Sequence, residues 1–179
     1  MKILSQTNLT PLLALAVLTL GTGYASAEVE IAYPDTENTL FTIEVPKNWK
    51  LTPMDQASKF FLVEGPRGVK MWFRAMPIDS ESEATAAAKA AKESGREWLS
   101  ATHENIVLDD GTFGDRDGLS FLSITGTATV KGSNEKVKLI AALATMTNGA
   151  MGQMWCLIPE SAPQGDQYAR KVIDSFTPR

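Results

Sequence analysis

Hydrophobic and polar positions alternate in short blocks along most of this chain, broken by one long stretch with helical spacing. Leu40-Phe41-Thr42-Ile43-Glu44-Val45 is a β-branched and aromatic run that ends at Pro46, which cannot donate to a strand ladder. Pro46-Lys47-Asn48-Trp49 reads as a tight turn that lays Trp49 back over the core. Phe60 to Val63 and Val69 to Met76 flank Gly65-Pro66-Arg67-Gly68, the pattern of an antiparallel hairpin. In the second of these strands, alternation places Val69, Met71, Phe73 and Ala75 on one face and Lys70, Trp72, Arg74 and Met76 on the other.

Ser80 and Glu83 fit a capping box, and the Ala, Lys and Glu that follow predict a helix over about residues 81–102. Ala84, Ala88, Ala91, Trp98, Leu99 and Thr102 recur at steps of three and four, so this stripe faces the body of the protein. Three strands follow, Leu119 to Val130, Val137 to Thr147 and Ala150 to Ile158, with Asn148-Gly149 as a hairpin signal. If Asn148-Gly149 is the whole loop, Met146 opposes Met151, Ala144 opposes Gln153 and Ala142 opposes Trp155. Both faces of these strands are largely apolar, so both need cover. After Pro163, the stripe Tyr168, Val172, Ile173 and Phe176 predicts a terminal helix closed by Pro178.

Ahead of this domain, Lys2, the apolar stretch from Leu9 to Leu20 and Ala25-Ser26-Ala27 form a secretory signal with small residues where signal peptidase needs them. The apolar stretch is too short for a membrane span, which needs about 20 residues. The expected organisation is a cleavable signal over 1–27, a mobile segment over 28–38 and a single domain over 39–179, working in the periplasm or outside the cell. Cleavage removes Lys2 and no acid, so the formal charge becomes slightly more negative than −4. This acidic balance, without clustered Lys and Arg, argues against nucleic acid and anionic membranes as partners. Cys156 is the sole cysteine, so neither an internal disulfide nor a lipid-accepting Cys at the cleavage site is available.

Phe41-Thr42-Ile43-Glu44-Val45-Pro46-Lys47-Asn48-Trp49 near the start and Val172-Ile173-Asp174-Ser175-Phe176 at the end resemble the PsbP/Mog1-like superfamily, and exported bacterial members of it above all. The resemblance covers about residues 39–176. It implies an α+β fold: an antiparallel β-sheet with helices packed on both faces, an α/β/α sandwich. It also implies a non-enzymatic partner-binding role. Members of the superfamily include an extrinsic subunit of photosystem II, a Ran-binding protein and chaperones for secreted toxins. No catalytic residues carry over.

The residues themselves point the same way. The sole histidine, His103, falls at the expected end of the long helix, where a cation favours the helix dipole, and no Gly-x-Ser-x-Gly elbow is present. Asp109, Asp110, Asp115 and Asp117 suggest a calcium loop, but in that register Phe113 replaces the first ligand and Ile124 the bidentate Glu; a solvated turn is expected. Met146, Met151, Met154 and Cys156 are soft copper ligands, but alternation sends Met151 away from Met154 and Cys156. No metal and no cofactor is therefore expected. Lys70, Trp72 and Arg74 are the candidate partner-binding residues, a tryptophan flanked by cations.

The function expected is that of a non-enzymatic binding or accessory protein of the bacterial envelope, with another envelope protein as partner and no membrane insertion after cleavage. A soluble carrier of a small apolar ligand or copper, and a carboxylate-dependent hydrolase, are the alternatives. Small side chains at Ser123, Thr125, Ala142, Ala144 and Gln153 form a depression in the expected register, and the alanine stripe of the long helix is expected to fill it, with a ligand groove as the alternative.

Overall fold

A computed structural model describes residues 28–179, except residues 54, 56, 58, 79, 80, 117, 118 and 148 and the side chains of 81–84. The signal over 1–27, the Ser80 capping box and Asp117 lie outside the described residues. Strands β1 (Glu28–Tyr33), β2 (Phe41–Pro46), β3 (Lys50–Thr52), β4 (Phe61–Glu64) and β5 (Lys70–Pro77) precede helix α1 (Glu81–Leu99). Then come β6 (His103–Leu108), β7 (Thr112–Arg116), β8 (Leu119–Val130), β9 (Lys136–Thr145), β10 (Ala150–Pro159), α2 (Gly165–Asp174) and β11 (Thr177–Pro178).

One sheet has the order β3-β4-β5-β10-β9-β8-β6, with β7 beside β6 on the outer edge of β8, and β1, β2 and β11 build a small sheet in the order β1-β2-β11. Every pairing described is antiparallel. Glu28–Tyr33, expected as a mobile lead-in, instead pairs along its whole length with β2. Its own alternation, with Ile31 and Tyr33 turned inward, supplies the reason.

The buried residues fall into two clusters. The first joins Met71, Phe73, Ile140, Met154 and Cys156 to Phe41 and Ile43 of β2 and to Ala169 and Val172 of α2. The second joins Ile124, Leu139, Leu143, Met151 and Trp155 to Ala88, Ala91 and Leu99 of α1. Helix α1 lies close to the sheet at Gly95, where a Cβ would stand 2.0 Å from the Trp155 ring.

The β9–β10 turn corrects the expected register. Gly149 takes φ +76° and its N–H bonds back to the Met146 carbonyl, so three residues, not two, form the loop. Gly152 therefore opposes Ala144, Met154 opposes Ala142 and Trp155 opposes Ala141. A slip of one residue changes which side chains share a face. The expected seat of the long helix falls with it: Ala142 and Ala144 belong to the first cluster, while α1 packs with Trp155, Leu139 and Ala141 in the second. Gln153 sits opposite Leu143 and so leaves the small-residue patch altogether.

His103 also departs from expectation. Helix α1 ends at Leu99, and His103 opens β6, buried, with Nδ1 2.8 Å from Thr102 Oγ1. Burial disfavours the imidazolium and lowers its pKa from the usual 6.5, the reverse of a cationic cap. The unfolded chain then takes up the proton first, so stability held by neutral His103 is present above about pH 6.5 and is lost as pH falls below it. Urea midpoints measured between pH 7.5 and 5.5 are expected to fall for the native sequence, and less for His103→Gln.

Candidate functional site

The small-residue patch borders a groove, although Ala142 and Ala144 are themselves buried. Helix α2 packs mainly against β10 and β2, and its Arg170, Ile173 and Asp174 border the adjoining face of β8 and β9. On that face Ser123 opposes Ala142 and Phe121 opposes Ala144, and Ile140 and Met154 complete the floor. Short side chains set the floor back, and Ile173 of α2 walls one side. The result is a groove of about 320 Å³, within the range of small-ligand sites.

Its charged lining comes from β7 and α2: Arg116, Arg170 and Asp174. Arg116, at the end of β7, reaches across to α2 and donates from Nη1 to Asp174 Oδ1 at 2.5 Å and from Nη2 to the Ile173 carbonyl at 3.4 Å. Arg170 donates from Nε to Asp166 Oδ2 at 2.8 Å, and Lys138 of β9 bonds the other oxygen of the same carboxylate. These two hydrogen bonds hold the Asp166 carboxyl below the usual range, and Asp166 in turn raises Arg170. One carboxylate thus serves two cations. A second hollow, near Pro66, Pro163 and Tyr168, lies at the other end of α2 and is bordered by turns, not by a sheet face.

Lys70, Trp72 and Arg74 share one face of β5, as alternation requires, and each makes contacts inside the fold. Trp72 meets Trp98 of α1 edge-on with ring centres 4.9 Å apart. Arg74 donates from Nε to Gln153 Oε1 at 2.8 Å and lies over the Phe60 ring at 4.3 Å. Lys70 approaches Glu64 at 3.7 Å. The three anchor β5 to its neighbours and do not line the groove.

The acidic run is also put to structural use. Asp109 accepts hydrogen bonds from the Thr125 and Gly111 amides and the Thr125 hydroxyl, which hold its carboxyl below the usual range. Asp115 accepts from Ser120 at 2.6 Å. Residues 112–116, expected as part of a solvated turn, form β7 on the edge of β8. Among the described residues, no three His, Cys, Asp or Glu side chains gather to hold a metal ion.

Of the sulfur-bearing residues, Met146, Met154 and Cys156 lie in the first cluster and Met151 in the second. Burial pushes the Cys156 thiol well up. Native protein is accordingly expected to react with a thiol reagent only as fast as it unfolds, with full labelling in denaturant. Prompt labelling under native conditions would show that the floor of β10 opens.

Two solved structures share this architecture. One is the cyanobacterial PsbP protein CyanoP of Synechocystis sp. PCC 6803, with a TM-score of 0.64 and 14% identity over 91% of this chain and 99% of that one. The other is the Ran-binding protein Mog1p of Saccharomyces cerevisiae, with a TM-score of 0.52 and 13% identity over 85% of this chain and 95% of that one. The chain therefore has a PsbP/Mog1-like fold. No protein-family profile matches it, and no curated protein matches it significantly in sequence.

Proposed function

We propose that this chain, a PsbP/Mog1-like α+β protein, is a non-enzymatic binding protein exported to the bacterial envelope, and that the groove beside α2 is its binding element. In this reading α1 and α2 shield opposite faces of an α/β/α sandwich, α1 closing its face and α2 leaving part of the other open. The observation that carries the proposal is the groove itself: mostly apolar residues of β8, β9 and β10 on its sheet side, and Arg116, Arg170 and Asp174 from β7 and α2. That division suits holding a ligand, whereas acid–base chemistry needs titratable groups that converge on one point.

Concavity favours the carrier of a small apolar ligand over a flat protein-docking face. Docking of another envelope protein is the second reading, and the likeness to a Ran-binding protein favours it. Export rests on Lys2, the apolar stretch and Ala25-Ser26-Ala27. Among the described residues no helix is long and apolar enough to cross a membrane.

The test is native mass spectrometry of the protein recovered from periplasmic extract, beside Ser123→Trp, which fills the groove from its half-buried floor. The native sequence is expected to start at Glu28 and to carry an added mass that Ser123→Trp lacks. Retention of Met1 would overturn export. The same bound mass on a folded Ser123→Trp protein would overturn the groove as the binding element.

A further inference from the structure

We infer that the groove beside α2 binds a single-chain anionic amphiphile, a fatty carboxylate, with its alkyl chain on the Phe121, Ala142, Ala144 and Met154 floor and its carboxylate on Arg170. This rests on the groove being the binding element and names the class of ligand it takes. Two independent features of the site support it.

The first is shape. Ser123 opposes Ala142 and Phe121 opposes Ala144, and Ile140 and Met154 join them, so the sheet side of the groove is apolar with short side chains at its centre. Each methylene removed from water on such a floor strengthens binding about fourfold.

The second is unequal charge. Arg116, Arg170 and Lys138 share only Asp166 and Asp174 between them, so the charged side of the groove holds three cations to two anions. Arg170 uses Nε for that bond, and a guanidinium carries five N–H donors in all. Asp174 bonds Arg116 at 2.5 Å and also acts on Arg170. Asp174 lines the same groove and therefore opposes any anion entering it. An anionic ligand and Asp174 compete for the same arginines.

That competition supplies a test that a structural ion pair would fail. Affinities are measured by calorimetry for saturated fatty carboxylates of increasing length and for the corresponding alcohols, using the exported protein after delipidation. Affinity for carboxylates is expected to rise about fourfold per methylene until the groove is full. Arg170→Gln is expected to weaken carboxylates about fivefold, the upper end for an exposed charge pair, and to leave alcohols unchanged. Asp174→Asn is expected to strengthen carboxylates severalfold and again leave alcohols unchanged. Ser123→Trp should remove both classes.

Equal affinity for carboxylate and alcohol in the native sequence would overturn the anionic head. Weaker carboxylate binding by Asp174→Asn, with unchanged melting temperature, would overturn the assigned competition. If no alkyl ligand binds while the mass bound in extract still depends on Ser123, the fatty-carboxylate assignment falls and the groove stands. If that mass does not depend on Ser123, the groove falls as well.

Discussion

Gly95→Val is expected to destabilise the protein by about 3 kcal/mol, the upper end for overpacking a filled core, and to lower the melting temperature by on the order of 10 °C. On helix propensity alone the loss of a glycine from mid-helix would be favourable by less than 1 kcal/mol. Packing decides the sign. A Cβ at Gly95 would stand 2.0 Å from Trp155 Cζ2, and that ring is 1% exposed, so it has no room to retreat. The helix must lift, and with it the Ala88, Ala91 and Leu99 stripe. Ala90→Val, on the exposed side of the same helix, is the control, expected to cost only a few tenths of a kcal/mol. Equal midpoints for the two variants in urea would show that α1 is not seated on Trp155.

Phe41→Ala is expected to cost about 3 to 5 kcal/mol, the usual range for emptying a buried aromatic site. Phe41 is 0% exposed and stacks on Tyr33 with centroids 4.9 Å apart; Phe176 lies 4.8 Å away on its other side. These rings belong to β2, β1 and the segment after α2, so one side chain ties β1 and the segment after α2 into the first buried cluster. The cavity cannot collapse without breaking the β1–β2 or β11–β2 ladder. Hydrogen exchange is expected to quicken in β1 and β11 before β9. Uniform quickening across both sheets would show that the small sheet has no stability of its own to lose.

Much of this architecture was legible in the residues because alternation and helical spacing are local signals. Val69, Met71 and Phe73 turn inward and Lys70 stays exposed, as period two requires. Ala88, Ala91 and Leu99 are buried, as the stripe on α1 requires. Turn length was not legible. A glycine with positive φ at position 149 fits a two-residue loop or a three-residue loop equally well, and the choice settles which helix faces Ala142 and Ala144.

The edge strands were hidden for a different reason. Thr112–Arg116 lies on the sheet rim with Phe113 exposed, so no inward face imposes a hydrophobic period. In β6 the register shifts between Glu104 and Val107, and Asn105 takes φ 53°, which breaks the period there. The groove was half legible. The sequence offers the small residues of its floor, but the rim joins Arg116 to Asp174 across 58 positions, a pairing that only the tertiary fold brings about.

The small sheet also determines how the domain would bear tension. Glu28 of β1 lies beside Pro46 at one end of β2, and Pro178 of β11 lies beside Phe41 at the other. A pull applied between Glu28 and Arg179 therefore runs along β2 and loads both of its ladders in shear. The six paired positions of β1 share that load, whereas β11 meets it with two. The carboxyl-terminal strand yields first, and Phe176, packed on Phe41 just before it, is the next part of the core to be drawn out.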